Sequence, residues 1–159
     1  MTAEALLADF RARLLGGTVR RRGLAGNSLL VYVDCTPGDG TGLTLWFEPT
    51  WNLRDASRVL TGSRQADHDP DANNPDAGFH IAADAIDVLV GRTVLALDVH
   101  TITGDLTVTF DEGLTLTTFV SDPSTEELWH IRDNETRQRL ECTGHGLCRV
   151  RLASSVDAS

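Results

Sequence analysis

The sequence predicts a single α+β domain in which two helices cover antiparallel strands. Three observations support this class. Residues 6–15 carry apolar side chains at helical spacing, residues 29–33 and 106–110 alternate between apolar and polar side chains as strands do, and this whole pattern occurs twice. With 159 residues the chain is long enough to bury a core of its own without a metal or a disulfide.

The repeat consists of four pairs of matched segments that occur in the same order along the chain. The pairs are residues 14–19 and 89–94, residues 27–34 and 104–111, GLTL at both 42–45 and 113–116, and WNLRD at 51–55 with WHIRD at 129–133. We interpret the chain, residues 1–159, as one domain of two repeats, residues 3–62 and 79–152, joined by an acidic loop at residues 63–78.

Each repeat is predicted to begin with a helix and to continue with four strands. The first helix has a stripe of Leu6, Phe10 and Leu14 before Gly16, and the second has a stripe of Ala82, Ala85, Ile86 and Leu89 before Gly91. Short turns between the strands predict an antiparallel α-β-β-β-β unit with both helices on one face of the sheet. A partly closed barrel is the alternative.

The charge composition limits the classes of partner. The chain has no lysine, 14 arginines and 23 acidic residues, which give a net charge of −9. A polyanion such as nucleic acid is therefore not expected as a general partner. No apolar run approaches the roughly 20 residues that cross a bilayer, and the first residues lack the features of a signal peptide, so we expect a cytoplasmic protein without membrane contact.

The second repeat resembles small bacterial domains of unknown function. The resemblance covers about the last 70 residues by motif spacing, mainly residues 89–148, and is carried by GRTV at 91–94, GDL at 104–106, FDEG at 110–113, ELW at 127–129 and LECTGHG at 140–146. It implies a fold but no activity. In size and texture such domains are also similar to immunity proteins of bacterial toxin systems.

Two segments contain residue types that bind metals. Cys142, His145 and Cys148 lie within seven residues, but zinc sites usually add a second ligand pair, so we interpret the segment as a turn between strands with two small buried cysteines. Residues 67–78 alternate acids as calcium loops do, yet Ala72 and Gly78 replace the glycine and glutamate that such a loop requires. We expect neither a metal nor a cofactor.

No catalytic motif stands out in the sequence. The patterns G-x-S-x-G, S-x-x-K and H-E-x-x-H are all absent. The recurrence of WNLRD and WHIRD indicates a structural role, with each tryptophan packed beside its sheet. A small hydrolase with a site between the two repeats, where loops carrying Asp34, His100 or Asp111 converge, remains the alternative to a binding protein.

The most informative difference between the repeats lies on the second face of the strands. Strand alternation places Leu30, Tyr32 and Trp46 on this face in the first repeat, whereas the second repeat has Thr107, Thr109 and Thr117 there. A threonine face is typical of a solvated sheet, but the apolar set should be covered. The cover could be loop 63–78, a second copy of the chain or an external partner.

A run of arginines adds to this difference. Arg20, Arg21 and Arg22 correspond to residues 95–97 of the second repeat, which are Leu, Ala and Leu. The run could protect an edge strand, or it could form an anion site beside the aromatic residues. We therefore expect a non-enzymatic binding protein, whose partner is a protein or a second copy, that binds through a set of five residues: Leu30, Tyr32, Trp46, Arg20 and Arg22.

Overall fold

The structure, a computed structural model, describes residues 1–35, 41–120 and 126–151. Its helices are α1 (Ala3–Leu14), α2 (Ser63–Ala66) and α3 (Ala77–Ala85), with single turns of 3-10 helix at Ile86–Leu89 and Asp111–Gly113. Its strands are β1 (Thr18–Ala25), β2 (Ser28–Asp34), β3 (Gly42–Phe47), β4 (Trp51–Arg54), β5 (Val59–Gly62), β6 (Val94–Val99), β7 (Leu106–Phe110), β8 (Thr115–Thr118), β9 (Glu127–Asp133), β10 (Gln138–Thr143) and β11 (Gly146–Arg151).

The strands form two antiparallel sheets. Sheet 1 has the order β1-β2-β3-β9-β10-β11, and sheet 2 has the order β5-β4-β8-β7-β6. The predicted α+β class with antiparallel pairing is therefore confirmed. The described strands form two open sheets, so the alternative of a partly closed barrel does not apply to them.

Each sheet combines strands from both predicted repeats. The chain leaves sheet 1 after β3 and returns to it at β9, so the hairpin β9-β10 lies beside β1-β2-β3, and the hairpin β4-β5 lies beside β6-β7-β8. This path differs from the predicted four-strand meander, because the first half has five strands and the second has six, and the last two strands of the first half and the last three of the second join the sheet of the other half. Residue 152, the predicted end of the second repeat, lies outside the described residues.

Equivalent positions of the two halves make equivalent contacts. Both first strands contain a bulge, at Arg20 in β1 and at Leu95 in β6. The two tryptophans of the repeated motif are buried, and their indole N–H groups donate to the carbonyl oxygens of Asn27 (2.8 Å, from Trp51) and Gly104 (2.7 Å, from Trp129). Each hairpin that crosses over is thus bonded back to the turn between the first two strands of its own half.

The two halves meet at an antiparallel bridge between Thr18 and Thr93. The flanking hydrogen bonds occur in matched pairs, with Gly16 N donating to Val94 O (2.9 Å) and Gly91 N donating to Val19 O (2.8 Å). An antiparallel bridge between equivalent residues has local twofold symmetry, so an approximate twofold axis passes between the two threonines. Both glycines have positive φ angles, 81° and 83°, which other residue types rarely adopt.

One apolar core lies between the two sheets and the helices. It contains the inner side chains of both sheets together with Leu6, Phe10 and Leu14 of α1, and Ile86 and Leu89 after α3. Helix α1 contacts β6, β10 and β11, while α3 and the following turn contact β5 and β1. Each helix therefore packs against edge strands of both sheets, which leaves the outer faces of the sheets without a covering helix.

The segment predicted as a linker, residues 63–78, is partly helical and packs beside sheet 2. Ser63 and Ala66 of α2 are buried, and the Ser63 hydroxyl accepts a hydrogen bond from Trp51 N (3.1 Å). In the remaining acidic part, His68 Nδ1 lies 2.9 Å from an Asp76 carboxylate oxygen. This segment does not extend over the outer face of sheet 1.

Candidate binding site on the outer face of sheet 1

Two rows of side chains cross the outer face of sheet 1, the side turned away from the core. Cross-strand pairing aligns the members of each row on four neighbouring strands and β10. The first row is Gly23, Leu30, Trp46, His130 and Glu141, and the second row is Arg21, Tyr32, Thr44, Arg132 and Arg139. An aromatic and apolar row therefore runs beside a row rich in arginine.

A cavity of about 290 Å³ opens between the two rows. Ten residues line it: Arg21, Arg22, Gly23, Leu30, Tyr32, Thr44, Trp46, His130, Arg132 and Asn134. We call it the sheet 1 cavity. Leu30, Tyr32 and Trp46 are partly buried, and no residue of segment 63–78 lines the cavity. The apolar set predicted from the sequence therefore lies together and faces this cavity.

Trp46 and His130 form a stacked aromatic pair in the lining of the cavity. Their rings stack with centroids 5.6 Å apart and an angle of 9° between the planes. The Trp46 indole N–H donates to Glu48 Oε1 (2.6 Å), and the Ser28 hydroxyl donates to the other oxygen of Glu48 (2.6 Å). The Trp46 ring is thus fixed from both sides before any ligand binds.

His130 is held by a network of charged residues on its far side. Its Nδ1 contacts Glu127, whose second carboxylate oxygen accepts a hydrogen bond from Arg139. Arg139 also lies 2.8 Å from Glu141. Burial raises the pKa of Glu127, but the hydrogen bonds and charges of His130 and Arg139 outweigh it and hold that pKa below its ordinary value. Glu127 and Glu141 are therefore already paired with His130 and Arg139.

Arg21 and Arg132, the two arginines of the second row that line the cavity, have no such partner among the described residues. The Arg21 guanidinium lies over the Tyr32 ring, 4.9 Å from its centroid, and Arg132 donates to the Asn134 side-chain oxygen (3.4 Å). Within the described ranges, neither arginine forms an ion pair with a carboxylate. Two positive charges thus remain available at the mouth of the cavity in a protein of net charge −9.

Glycines make room for this arrangement at two positions. A Cβ on Gly42 would lie 2.6 Å from the Tyr32 hydroxyl oxygen, so only glycine lets the tyrosine ring pack here. A Cβ on Gly23 would meet no atom within 4 Å, because it would point into the open cavity. A larger side chain at Gly23 is therefore expected to fill the cavity without disturbing the backbone.

The bulge in β1 decides which arginines reach the cavity. Uninterrupted alternation would place Arg20 and Arg22, the two predicted from the sequence, on one face. The pairs Val19 with Val33 and Arg21 with Tyr32 show that Arg20 is the extra residue, which turns Arg21 outward. Arg20 is exposed and does not line the cavity, whereas Arg22 lines its edge and is paired with Asp87.

The outer face of sheet 2 provides an internal comparison. Its equivalent rows are Asp98, Thr107, Thr117, Asn52 and Gly62, and Ala96, Thr109, Thr115, Arg54 and Val59. Only Thr44 and Arg132 have counterparts of the same type, Thr115 and Arg54. The same backbone arrangement therefore forms without the aromatic row, so the fold does not require Trp46 and Tyr32.

The strand exchange brings residues into the site that the sequence did not assign to it. His130 and Arg132 come from β9 of the second predicted repeat, and they lie opposite Trp46 and Thr44 of the first. The spacing of the repeated motif shows that Arg132 lies on the opposite side of its strand from Trp129 and Ile131. No signal in the sequence pairs this strand with β3.

The residues of the hydrolase alternative lie apart. His100 lines cavities together with Asp105 and with His145, and neither Asp34 nor Asp111 lines them. Asp111 accepts a hydrogen bond from Thr93 N (2.9 Å) beside the twofold axis. These contacts connect turns of the chain and assemble no nucleophile and base.

The predicted metal candidates also have structural positions. Cys142 faces the core, where burial raises the pKa of its thiol to about 11, and His145 is exposed on the turn that follows. The side chain of Cys148 lies outside the described part of the structure. Burial opposes the thiolate form in which cysteine binds zinc, and the expected absence of metal remains a prediction for elemental analysis.

Comparison with known proteins gives no match: no family model, no curated protein and no solved structure matches this chain. Among the described residues, no helix is long and apolar enough to cross a membrane. Any functional conclusion therefore depends on the site itself.

Proposed function

We propose that this protein is a non-enzymatic binding protein and that the sheet 1 cavity is its binding site. One observation carries the proposal. At equivalent positions of two equivalent faces, sheet 1 has a preformed aromatic and basic cavity, whereas sheet 2 has threonine and asparagine. Since the fold forms sheet 2 without these residues, binding is the role that best explains them.

The chemistry of the lining residues supports binding rather than catalysis. Trp, Tyr and Arg are the side chains that contribute most at binding sites, because they combine large contact areas with directed hydrogen bonds. His130, the one histidine in the lining, is stacked on Trp46 and bonded to Glu127. The lining offers no serine or cysteine as a nucleophile.

A variant that fills the cavity tests the proposal. Gly23→Phe places a ring in the open space above Leu30, and Asp98→Phe places the same ring at the equivalent position of sheet 2. Wild type and both variants would be screened by thermal shift against acidic, basic and neutral small molecules and peptides. Sedimentation at several protein concentrations would test binding of a second copy.

We expect at least one class of ligand to raise the melting temperature of wild type and of Asp98→Phe but not of Gly23→Phe. Ligands that raise the melting temperature of wild type and of Gly23→Phe by the same amount would show that the cavity is not the binding site. A protein that remains monomeric and responds to none of the classes would contradict the proposed function.

A further inference from the structure

We propose that the sheet 1 cavity binds a small aromatic anion, namely a flat ring joined by a short chain to one carboxylate or phosphate group. This inference rests on the proposed function and names the class of ligand. It follows from the way in which the two rows divide the cavity between a flat apolar surface and a pair of positive charges.

The first row provides the surface for the ring. Trp46 and His130 stack with nearly parallel rings, so their aromatic faces share one orientation, and Leu30 adds an apolar wall beside them. Gly23 leaves the space above Leu30 empty. Flat rings stack on such faces in an offset arrangement, and they do so without distortion because Glu48 already holds the Trp46 indole.

The second row provides the charges for the acid group. Arg21 on β1 and Arg132 on β9 approach the cavity from opposite sides, with Tyr32 and Thr44 between them. Both guanidinium groups lack a carboxylate partner among residues 1–35, 41–120 and 126–151. A planar guanidinium donates two parallel hydrogen bonds to a carboxylate or phosphate, so an anion between the two arginines would satisfy both.

The distance between the rows fixes the shape of the ligand. Side chains on the same face of a strand are two residues apart, and this places the acid group about 7 Å from the centre of the ring. A ring joined to its acid by a short chain spans this distance. The cavity volume of about 290 Å³ accommodates one such unit and not a polymer.

The charges of the protein favour a small anion over larger partners as the ligand of the cavity. The net charge of −9 repels polyanions from outside, but screening limits that field to about 8 Å at physiological salt. A single carboxylate inside the cavity instead lies beside two unpaired guanidinium groups. We therefore assign the cavity to a free small molecule rather than to nucleic acid, an acidic protein segment or a second copy of the chain.

A matched set of probes tests each part of the ligand. 3-Phenylpropionate has both ring and acid, 3-phenylpropanamide keeps the ring without the charge, and hexanoate keeps the acid without the ring. Phenyl phosphate distinguishes a phosphate from a carboxylate as the acid group. Binding would be followed by tryptophan fluorescence, since Trp46 lines the cavity whereas Trp51 and Trp129 are buried in the core.

We expect 3-phenylpropionate or phenyl phosphate to bind with a dissociation constant on the order of 1 mM or below, as ligands of this size do. The amide and hexanoate should bind at least about tenfold more weakly. Arg132→Gln should weaken the acid probe about tenfold, while Arg54→Gln, its counterpart on sheet 2, should change affinity less than about twofold. Gly23→Phe should abolish binding.

Three results would overturn the inference. In the first, the amide binds as tightly as the acid. In the second, Arg132→Gln binds the acid probe as tightly as Arg54→Gln does. In the third, the only partners whose binding is lost in Gly23→Phe are peptides, nucleic acid or a second copy of the chain. Each of these leaves the proposed function standing. If no ligand of any class binds wild type and loses its binding in Gly23→Phe, the proposed function fails as well. Circular dichroism of each variant would verify that it is folded.

Discussion

Asp55 and Asp133 occupy the same position in the repeated motif but have different surroundings. Each accepts hydrogen bonds from the backbone N–H groups two and three residues later and so holds a turn. Asp133 is also buried and bonded to Arg13 of α1 (2.7 Å), whereas Asp55 is only partly buried. One aspartate therefore ties a helix to sheet 1, and the other stabilises only its own turn.

Replacing Asp133 by Asn should lower the free energy of unfolding by about 1–2 kcal/mol, because the ion pair is lost while the turn acceptor remains. Asp55→Asn is the matched control and should have a smaller effect. Urea denaturation of wild type and both variants would measure this. Equal effects of the two substitutions would show that the contact with Arg13 contributes nothing.

The effect of Asp133 should depend on pH in one direction. Burial raises its pKa, but the hydrogen bonds from Arg13, Glu135 and Thr136 outweigh it and hold the folded-state pKa below the ordinary value. Its contribution is therefore complete above the pKa of the unfolded chain, about 3.9, and is lost as the pH falls through the folded-state value. The difference between wild type and Asp133→Asn should shrink in acid.

At the scale of secondary-structure elements, the buried tryptophans join each crossing hairpin to a turn of its own half, which lies in the opposite sheet. Trp51→Phe or Trp129→Phe would remove the indole N–H and leave the carbonyl oxygen of Asn27 or Gly104 without its donor. Each variant should lose about 1–3 kcal/mol of stability. Trp46→Phe, on the outer face, is the control and should cost less. The free energy of unfolding would be measured by urea denaturation. A loss for Trp46→Phe as large as for the other two variants would contradict this view.

Local patterns in the sequence predicted most elements but not how they assemble. The stripe of Leu6, Phe10 and Leu14 and the alternation in β2 and β7 depend on neighbouring residues, and these elements were predicted correctly. The exchange of hairpins depends on contacts between residues about 80 apart, such as Trp46 with His130, which no local pattern encodes.

In the site, too, the residues that local patterns indicate were predicted, and those that depend on distant contacts or on a bulge were not. Leu30, Tyr32 and Trp46 were found because strand alternation and comparison of the repeats are both read from nearby residues. Arg21 was missed because a single bulge reverses the facing of every residue after it, and His130 was missed because its strand arrives from the other half.

For the whole molecule, the exchange makes each half dependent on the other. Cutting the chain in the exposed loop between Ala72 and Asn73 would give two fragments, of which the first lacks three strands of sheet 1 and the second lacks two strands of sheet 2. We expect each fragment alone to show no cooperative unfolding and an equimolar mixture to regain it. Circular dichroism during urea titration would test this. A fragment that unfolds cooperatively as a monomer would contradict it.

The approximate twofold axis at Thr18 and Thr93 also has a consequence for how the two outer faces can differ. In a pair of identical chains with the same exchange, a tryptophan gained on one face would appear on the other as well. Because both halves belong to one chain, a substitution at Trp46 leaves Thr117 unchanged. The covalent link thus allows the two outer faces to differ, and we expect one ligand per chain rather than two.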